Sequence, residues 1–156
     1  MELSVFLRFL RTMPTNARIS AIKALTEMST VEENEVNCTG GKISSILAAV
    51  LMELSKDEDE TVRWDVAGNP KTSAEVLTEL SKDKDLTVRN AVASNPKTPA
   101  ELLTELSMDK EWRVRCAVAE NPGTPAEVLT KLNCQKTKNG MYRKLQWLIQ
   151  VFQNKD

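Results

Sequence analysis

The chain has 156 residues, with 21 Lys/Arg against 22 Asp/Glu, three cysteines and no histidine. That length supplies one domain whose core needs no disulfide staples, and the lack of histidine removes the commonest general base and metal ligand. Aromatic residues make up only 4%, which favours helices packed through Leu, Val and Ala over a β-sandwich. The formal net charge of −1 hides a division. Residues 28–130 hold 11 Lys/Arg against 19 Asp/Glu, a balance of −8, while residues 1–27 carry +2 and residues 131–156 carry +5. An acidic body is a poor phosphate binder, because nucleic-acid affinity comes largely from cations that displace counterions. Only the C-terminal end could make such contacts.

The N-terminal stretch MELSVFLRFLRTM is interrupted by Arg8 and Arg11 and reads as a first helix rather than a signal peptide. No apolar run approaches the ~18 residues of a membrane span. Cys38, Cys116 and Cys134 are odd in number and widely spaced, so neither a disulfide framework nor a metal site is indicated. A reduced cytoplasmic protein is expected, and the glycosylation-like Asn37-Cys38-Thr39 reads as chance.

From residue 54 the chain repeats itself every 26 residues. Leu54, Leu80, Leu106 and Leu132 stand in register, as do Val62, Val88 and Val114, Arg63, Arg89 and Arg115, and the pairs Asn69-Pro70, Asn95-Pro96 and Asn121-Pro122. Three clear copies span 54–132. Each predicts two helical segments. The first opens at Asp59, Asp85 or Glu111, a favourable charge at a helix N-terminus. It ends at the Asn-Pro pair and is short enough for a 3₁₀ component. The second opens with Thr98-Pro99-Ala100-Glu101 or Thr124-Pro125-Ala126-Glu127, a capping-box pattern with Thr at the N-cap; Thr72-Ser73-Ala74-Glu75 replaces only the proline. Leu102, Leu103 and Leu106 then form its apolar stripe. One pair cannot bury that face alone, but stacked pairs share a core.

Asp57, Asp83 and Asp109 stand six residues before Arg63, Arg89 and Arg115. The expected role is an Asp–Arg ladder joining one repeat to the next. The alternative, an arginine row gripping phosphate or carboxylate, is disfavoured by the two acidic neighbours of each Arg. Upstream, the frame continues weakly, with Val50–Leu54 and, one step further back, Ala24–Met28 in the place of a second-helix ending. Residues 1–53 are therefore expected to form degenerate N-terminal repeats or a cap, with a looser connection at 32–42. Downstream, MYRKLQWLIQVFQ places Leu145, Leu148, Ile149 and Phe152 on one helical face, and 133–156 reads as a C-terminal capping helix. A basic amphipathic docking helix is the other reading.

The pattern L-x-x-D-x-D-x-x-V-R-x-A-V-A-x-N-P-x-T-P-x-E-x-L over 54–132 closely resembles the leucine-rich repeat variant family. The resemblance implies an all-α, right-handed α-solenoid of alternating α and 3₁₀ helices, related to HEAT repeats, and a scaffold without common catalytic residues. A founding member carries an iron–sulfur cluster on a cysteine-rich N-terminal segment. Residues 1–53 here hold only Cys38, so that feature does not carry over.

No phosphate-binding loop, dinucleotide turn or nucleophile elbow is present. No catalytic residue, metal or cofactor is expected. The informative positions are those where the copies disagree. Counting every fourth residue of the first segment gives an outward stripe of Glu60, Trp64 and Gly68, then Leu86, Asn90 and Ser94, then Trp112, Cys116 and Glu120. Asp65 is a second departure, since Ala91 and Ala117 hold its place elsewhere. Trp64, Asp65, Leu86, Asn90, Trp112 and Cys116 are the candidate contacts for a protein or peptide partner. The competing reading packs the tryptophans inside the solenoid. The alternative function is nucleic-acid binding resembling the HEAT-like DNA glycosylases, with Arg63, Trp64 and Asp65 on a concave face.

Overall fold

The computed structural model describes residues 3–32 and 40–132. Cys38, Cys134 and the expected C-terminal helix lie outside the described residues. The helices, in chain order, are α1 (Leu3–Thr12), α2 (Thr15–Glu32), α3 (Gly40–Leu54), α4 (Glu60–Gly68), α5 (Ala74–Leu80), α6 (Leu86–Ser94), α7 (Ala100–Leu106), α8 (Trp112–Glu120) and α9 (Ala126–Lys131). No strand occurs among the described residues. The helices α4, α6 and α8 open at residues 60, 86 and 112, and α5, α7 and α9 at 74, 100 and 126, so both series step by 26. In one layer α2 packs on α4, α4 on α6 and α6 on α8; the shorter helices lie behind, α5 against α4 and α6, and α7 against α8. The result is an all-α solenoid.

The core lies between the layers. Val62 and Val66, Val88 and Val92, and Val114 and Val118 are fully buried, as are Leu77 and Leu103 of the second layer. Each such side chain contributes about 1.5–3 kcal/mol of gross hydrophobic stabilisation. The i, i+4 valines face inward because a helix brings them onto one stripe.

Local capping follows the sequence in the first helices and departs from it in the second. Asp59 accepts from the Thr61 N–H at 2.9 Å and Asp85 from the Thr87 N–H at 2.7 Å. Glu111 makes no side-chain cap bond. These nine-residue segments are α-helical. Arg63 N–H donates to the Asp59 carbonyl and Arg89 N–H to that of Asp85, so the expected 3₁₀ character is confined to i→i−3 closures such as Asn69 N–H to the Val66 carbonyl at 3.2 Å. In the second helices the N-cap is Ser73, Pro99 or Pro125, one residue later than the capping-box reading placed it. The threonines are turned away. Thr72, Thr98 and Thr124 donate to the carbonyls of Val66, Val92 and Val118 at 2.6, 2.6 and 2.5 Å. These carbonyls sit in the last turn of the first helix, where the chain leaves the helix and a buried acceptor needs a donor.

The N-terminal region also differs from its expected register. Residues 24–28, read as the end of a second-layer helix, lie inside the 18-residue α2, which takes the first-layer place beside α4. Arg18 of α2 bonds Asp57 at 2.6 Å, standing where Arg63 and Arg89 stand in later copies. The match is incomplete, since Arg18 Nε is buried without a partner among the described residues.

Two polar ladders cross from repeat to repeat. Arg63 donates through Nε and Nη2 to the two carboxylate oxygens of Asp83, at 2.7 and 3.2 Å, and through Nη1 to the carbonyls of Asp57 and Glu58, at 2.7 and 3.0 Å. Arg89 does the same with Asp109, at 2.7 and 3.2 Å, and with the carbonyls of Asp83 and Lys84, at 2.8 and 3.2 Å. Arg115 holds the carbonyls of Asp109 and Lys110 at 2.7 and 3.1 Å; the next residue in the Asp83 and Asp109 series is Gln135, outside the described residues. Each Arg therefore uses the backbone, not the carboxylate, of the Asp six residues before it. That carboxylate serves the preceding copy's Arg. Arg63 and Arg89 are each 6% exposed.

The second ladder runs the other way. Asn95 Nδ2 donates to the carbonyls of Ala67 and Asn69 at 2.6 and 3.0 Å, and Asn121 Nδ2 to those of Ala93 and Asn95 at 2.7 and 2.9 Å. The Asn95 side-chain oxygen accepts from Lys97 N–H at 2.9 Å. Asn69 has no earlier copy to reach and donates to Thr26 Oγ1 of α2 at 2.7 Å.

Burial alone would raise the carboxyl pKa of Asp83. The guanidinium of Arg63 and the Asp85 N–H outweigh it, so the group titrates below the ordinary carboxylate value. Asp109 behaves likewise through Arg89 and the Glu111 N–H. A depressed native pKa gives stability that is present above the unfolded-state value, near 3.8, and is lost as pH falls through the native one. Arg89→Met strands the Asp109 carboxylate, and we expect urea unfolding to show a loss of about 3–5 kcal/mol at neutral pH that narrows on acidification below pH ~4. Asn95→Ala leaves two inward carbonyls without their donor, with an expected loss of about 2–4 kcal/mol by the same measurement.

Candidate functional site

The ladders consume the inward side of α4, α6 and α8, and the variable stripe occupies the opposite side. Trp64 is 47% and Trp112 45% exposed, so each indole packs one part of its surface on neighbouring turns and presents the rest to solvent. Neither reading of the tryptophans holds alone. Leu86, Asn90 and Cys116 are half-buried, with Glu60, Gly68, Ser94 and Glu120 exposed among them. Asn90 Nδ2 donates to the Arg113 carbonyl at 3.0 Å, which ties α6 to α8. The Arg113 guanidinium lies 5.6 Å from the centroid of the Trp112 ring, within cation–π range. Cys116 is a free thiol.

Beside this stripe lies a groove of about 410 Å³ between α2 and α4. From α2 it is lined by Ile22, Lys23, Thr26 and Glu27, and from α4 by Trp64, Asp65 and Gly68. Its origin is local. Ala91 and Ala117, at the Asp65 position of later copies, are buried, each 7% exposed. At the α2–α4 seam a carboxylate stands instead and the helix ends in Gly68. Burial raises the Asp65 pKa, the positive charge of Lys23 draws it back in part, and no hydrogen bond contributes. A Cβ added at Gly68 would meet nothing within 4 Å, so glycine is not required there by crowding.

Trp64 and Asp65 stand out in sequence as mismatches between copies, but their meeting with Lys23 and Glu27 does not, because the irregular spacing of α2 hides which of its residues line the groove. In sequence the Asn-Pro asparagines read only as helix stops. Their signal was a polar residue repeated at a buried position, since Asn69, Asn95 and Asn121 are 8%, 2% and 6% exposed. Arg63 does not join Trp64 and Asp65. Its guanidinium is sealed against Asp83, which removes the cation that a DNA-glycosylase-like site would draw from this turn. Among the described residues no group of three or more ligating side chains comes together for a metal ion, and no helix is long and apolar enough to cross a membrane.

The family model of the leucine rich repeat variant matches residues 86–111 and 112–133. These two adjacent segments are what the chain shares with that repeat family. The two matched segments begin at the first residues of α6 and α8. The copy at residues 60–85, which holds Trp64, Asp65 and Gly68, lies outside both. No curated protein and no solved structure matches the chain.

Two substitutions separate what the groove residues do for folding from what else they do. Gly68→Ala should stabilise the protein by about 0.5–1 kcal/mol, the helix preference of alanine over glycine with space for the methyl. Asp65→Ala should stabilise by about 0.5 kcal/mol from helix propensity. Because the native Asp65 pKa is raised, the wild type gains stability as pH falls through that value. The advantage of Asp65→Ala in a thermal melt should therefore shrink as pH falls through the raised native pKa toward the unfolded-state value near 3.8.

Proposed function

We propose that the protein is a non-catalytic repeat scaffold that holds a protein or peptide partner on the outward face of α4, α6 and α8. The observation that carries this reading is the pair of half-exposed tryptophans on that face, at α4 and α8. With α6 between them they stand about 20 Å apart at ~10 Å per helix, a span that suits an interface with two aromatic anchors. Repeat arrays of this kind generally serve as interaction scaffolds. The cationic side chains best placed to grip an anionic ligand, Arg63 and Arg89, are spent inside the fold.

Nearly half of each indole is in solvent, so Trp64→Ala and Trp112→Ala should lower the unfolding midpoint by only a few degrees. Each should weaken the partner complex on the order of 2 kcal/mol, about 30-fold in Kd. The measurement is affinity capture from the native cell extract with immobilised wild type and double variant, read by mass spectrometry. Equal recovery of the same proteins on both would overturn the reading. Steeply salt-dependent retention on DNA at ~50 mM salt would replace it with a nucleic-acid function.

A further inference from the structure

We infer that the groove between α2 and α4 receives an arginine side chain from a basic segment of the partner, and this rests on the scaffold reading above. One departure from a shared residue, Asp65, and two residues at positions that vary in every copy, Trp64 and Gly68, meet at this one concavity. Trp64 stands where later copies have Asn90 and Cys116, Asp65 where they have Ala91 and Ala117, and Gly68 where they have Ser94 and Glu120. Departures scattered over the surface would be neutral drift in a repeat; departures that line one cavity shape it.

The chemistry of the lining selects the occupant. The lining holds two carboxylates, Asp65 and Glu27, against one cation, Lys23. An apolar plug would seal the half-buried Asp65 carboxylate away from water without a donor, which is strongly unfavourable. An anion would meet the two carboxylates. A guanidinium satisfies all parts at once. It gives Asp65 a charge-assisted and potentially bidentate partner, and its planar face stacks on an indole such as Trp64. A volume of about 410 Å³ falls at the lower end of the ~300–1,000 Å³ typical of ligand pockets, which suits a side chain rather than a helix. Gly68 lines the groove without a side chain, and the space a Cβ would take there is open.

The test uses the full chain and three blocked decapeptides of Gly and Ser, carrying four arginines, four citrullines or four glutamates, at about 50 mM salt. Binding is read by fluorescence anisotropy and by the indole N–H signal of Trp64, assigned through Trp64→Phe. The arginine peptide should shift that signal and bind at least 10-fold tighter than the citrulline peptide, with no binding of the glutamate peptide. Asp65→Asn, which keeps the shape, and Gly68→Trp, which fills the groove, should each weaken it at least 5-fold. Glu101→Gln, which removes one exposed charge on α7, should change it less than 2-fold. Equal effects of Asp65→Asn and Glu101→Gln would show general attraction to an acidic body and overturn the inference, as would an unmoved Trp64 signal or equal affinity for the citrulline peptide. Those failures, with partner capture still dependent on Trp64 and Trp112, would leave the scaffold standing and remove only the groove's arginine.

Discussion

Carbonyl groups at the ends of short helices must find donors, and in this stack some donors come from the same repeat and others from the next turn of the solenoid. The turn before each first helix points two carbonyls inward, and a guanidinium closes over them while its other edge takes the carboxylate of the following copy. The turn after each first helix leaves two more, and an asparagine amide from the following copy bridges them. The arginine's carboxylate and the asparagine donor both come from a neighbouring copy, so a single repeat cannot complete the set. Cooperativity therefore arises from polar closure as much as from the valine and leucine core, and it fixes the lateral register of the helices more tightly than apolar contact alone would do.

The arginine–aspartate pairs are nearly buried, and burying two charges costs more than a surface pair returns. Here the guanidinium also satisfies backbone oxygens, so its desolvation is shared among several hydrogen bonds. This explains why the ladder uses arginine: its planar fork reaches a carboxylate and the two carbonyls at once, which an ammonium would not do. The ladder pairs are neutral and nearly buried, so what each copy adds to the acidic balance is the further acid at its helix start.

Most of the architecture was legible because it is written in repeated letters. Val62 and Val66 with their successors, the Asp59 and Asp85 caps and the Asn-Pro stops each name a helix end or face through local physics. Three features were hidden. Thr98 sits in a capping sequence, but its hydroxyl is claimed by a carbonyl six residues earlier, and only the fold of the turn brings that acceptor near. The length of α2 breaks the 26-residue frame, so a pattern match placed residues 24–28 in the wrong layer. The groove joins residues 22–27 to 64–70, and that distance in sequence carries no local signal at all. The candidate site was legible only as a mismatch between copies, in Trp64 and Asp65, and not as a concavity.

The two ladders point in opposite directions along the stack: arginines hand forward to the next aspartate, asparagines hand back to the previous turn. Every unit thus presents one complementary set of groups at its leading edge and another at its trailing edge, like links with a hook and an eye. A gene for such a chain can gain or lose a whole 26-residue unit in the middle without leaving a group unmatched, whereas an insertion of any other size misaligns both ladders together. Growth of the array is in this sense quantised. The end formed by α2 and α4, with its groove, keeps its composition however many identical units are added beyond it.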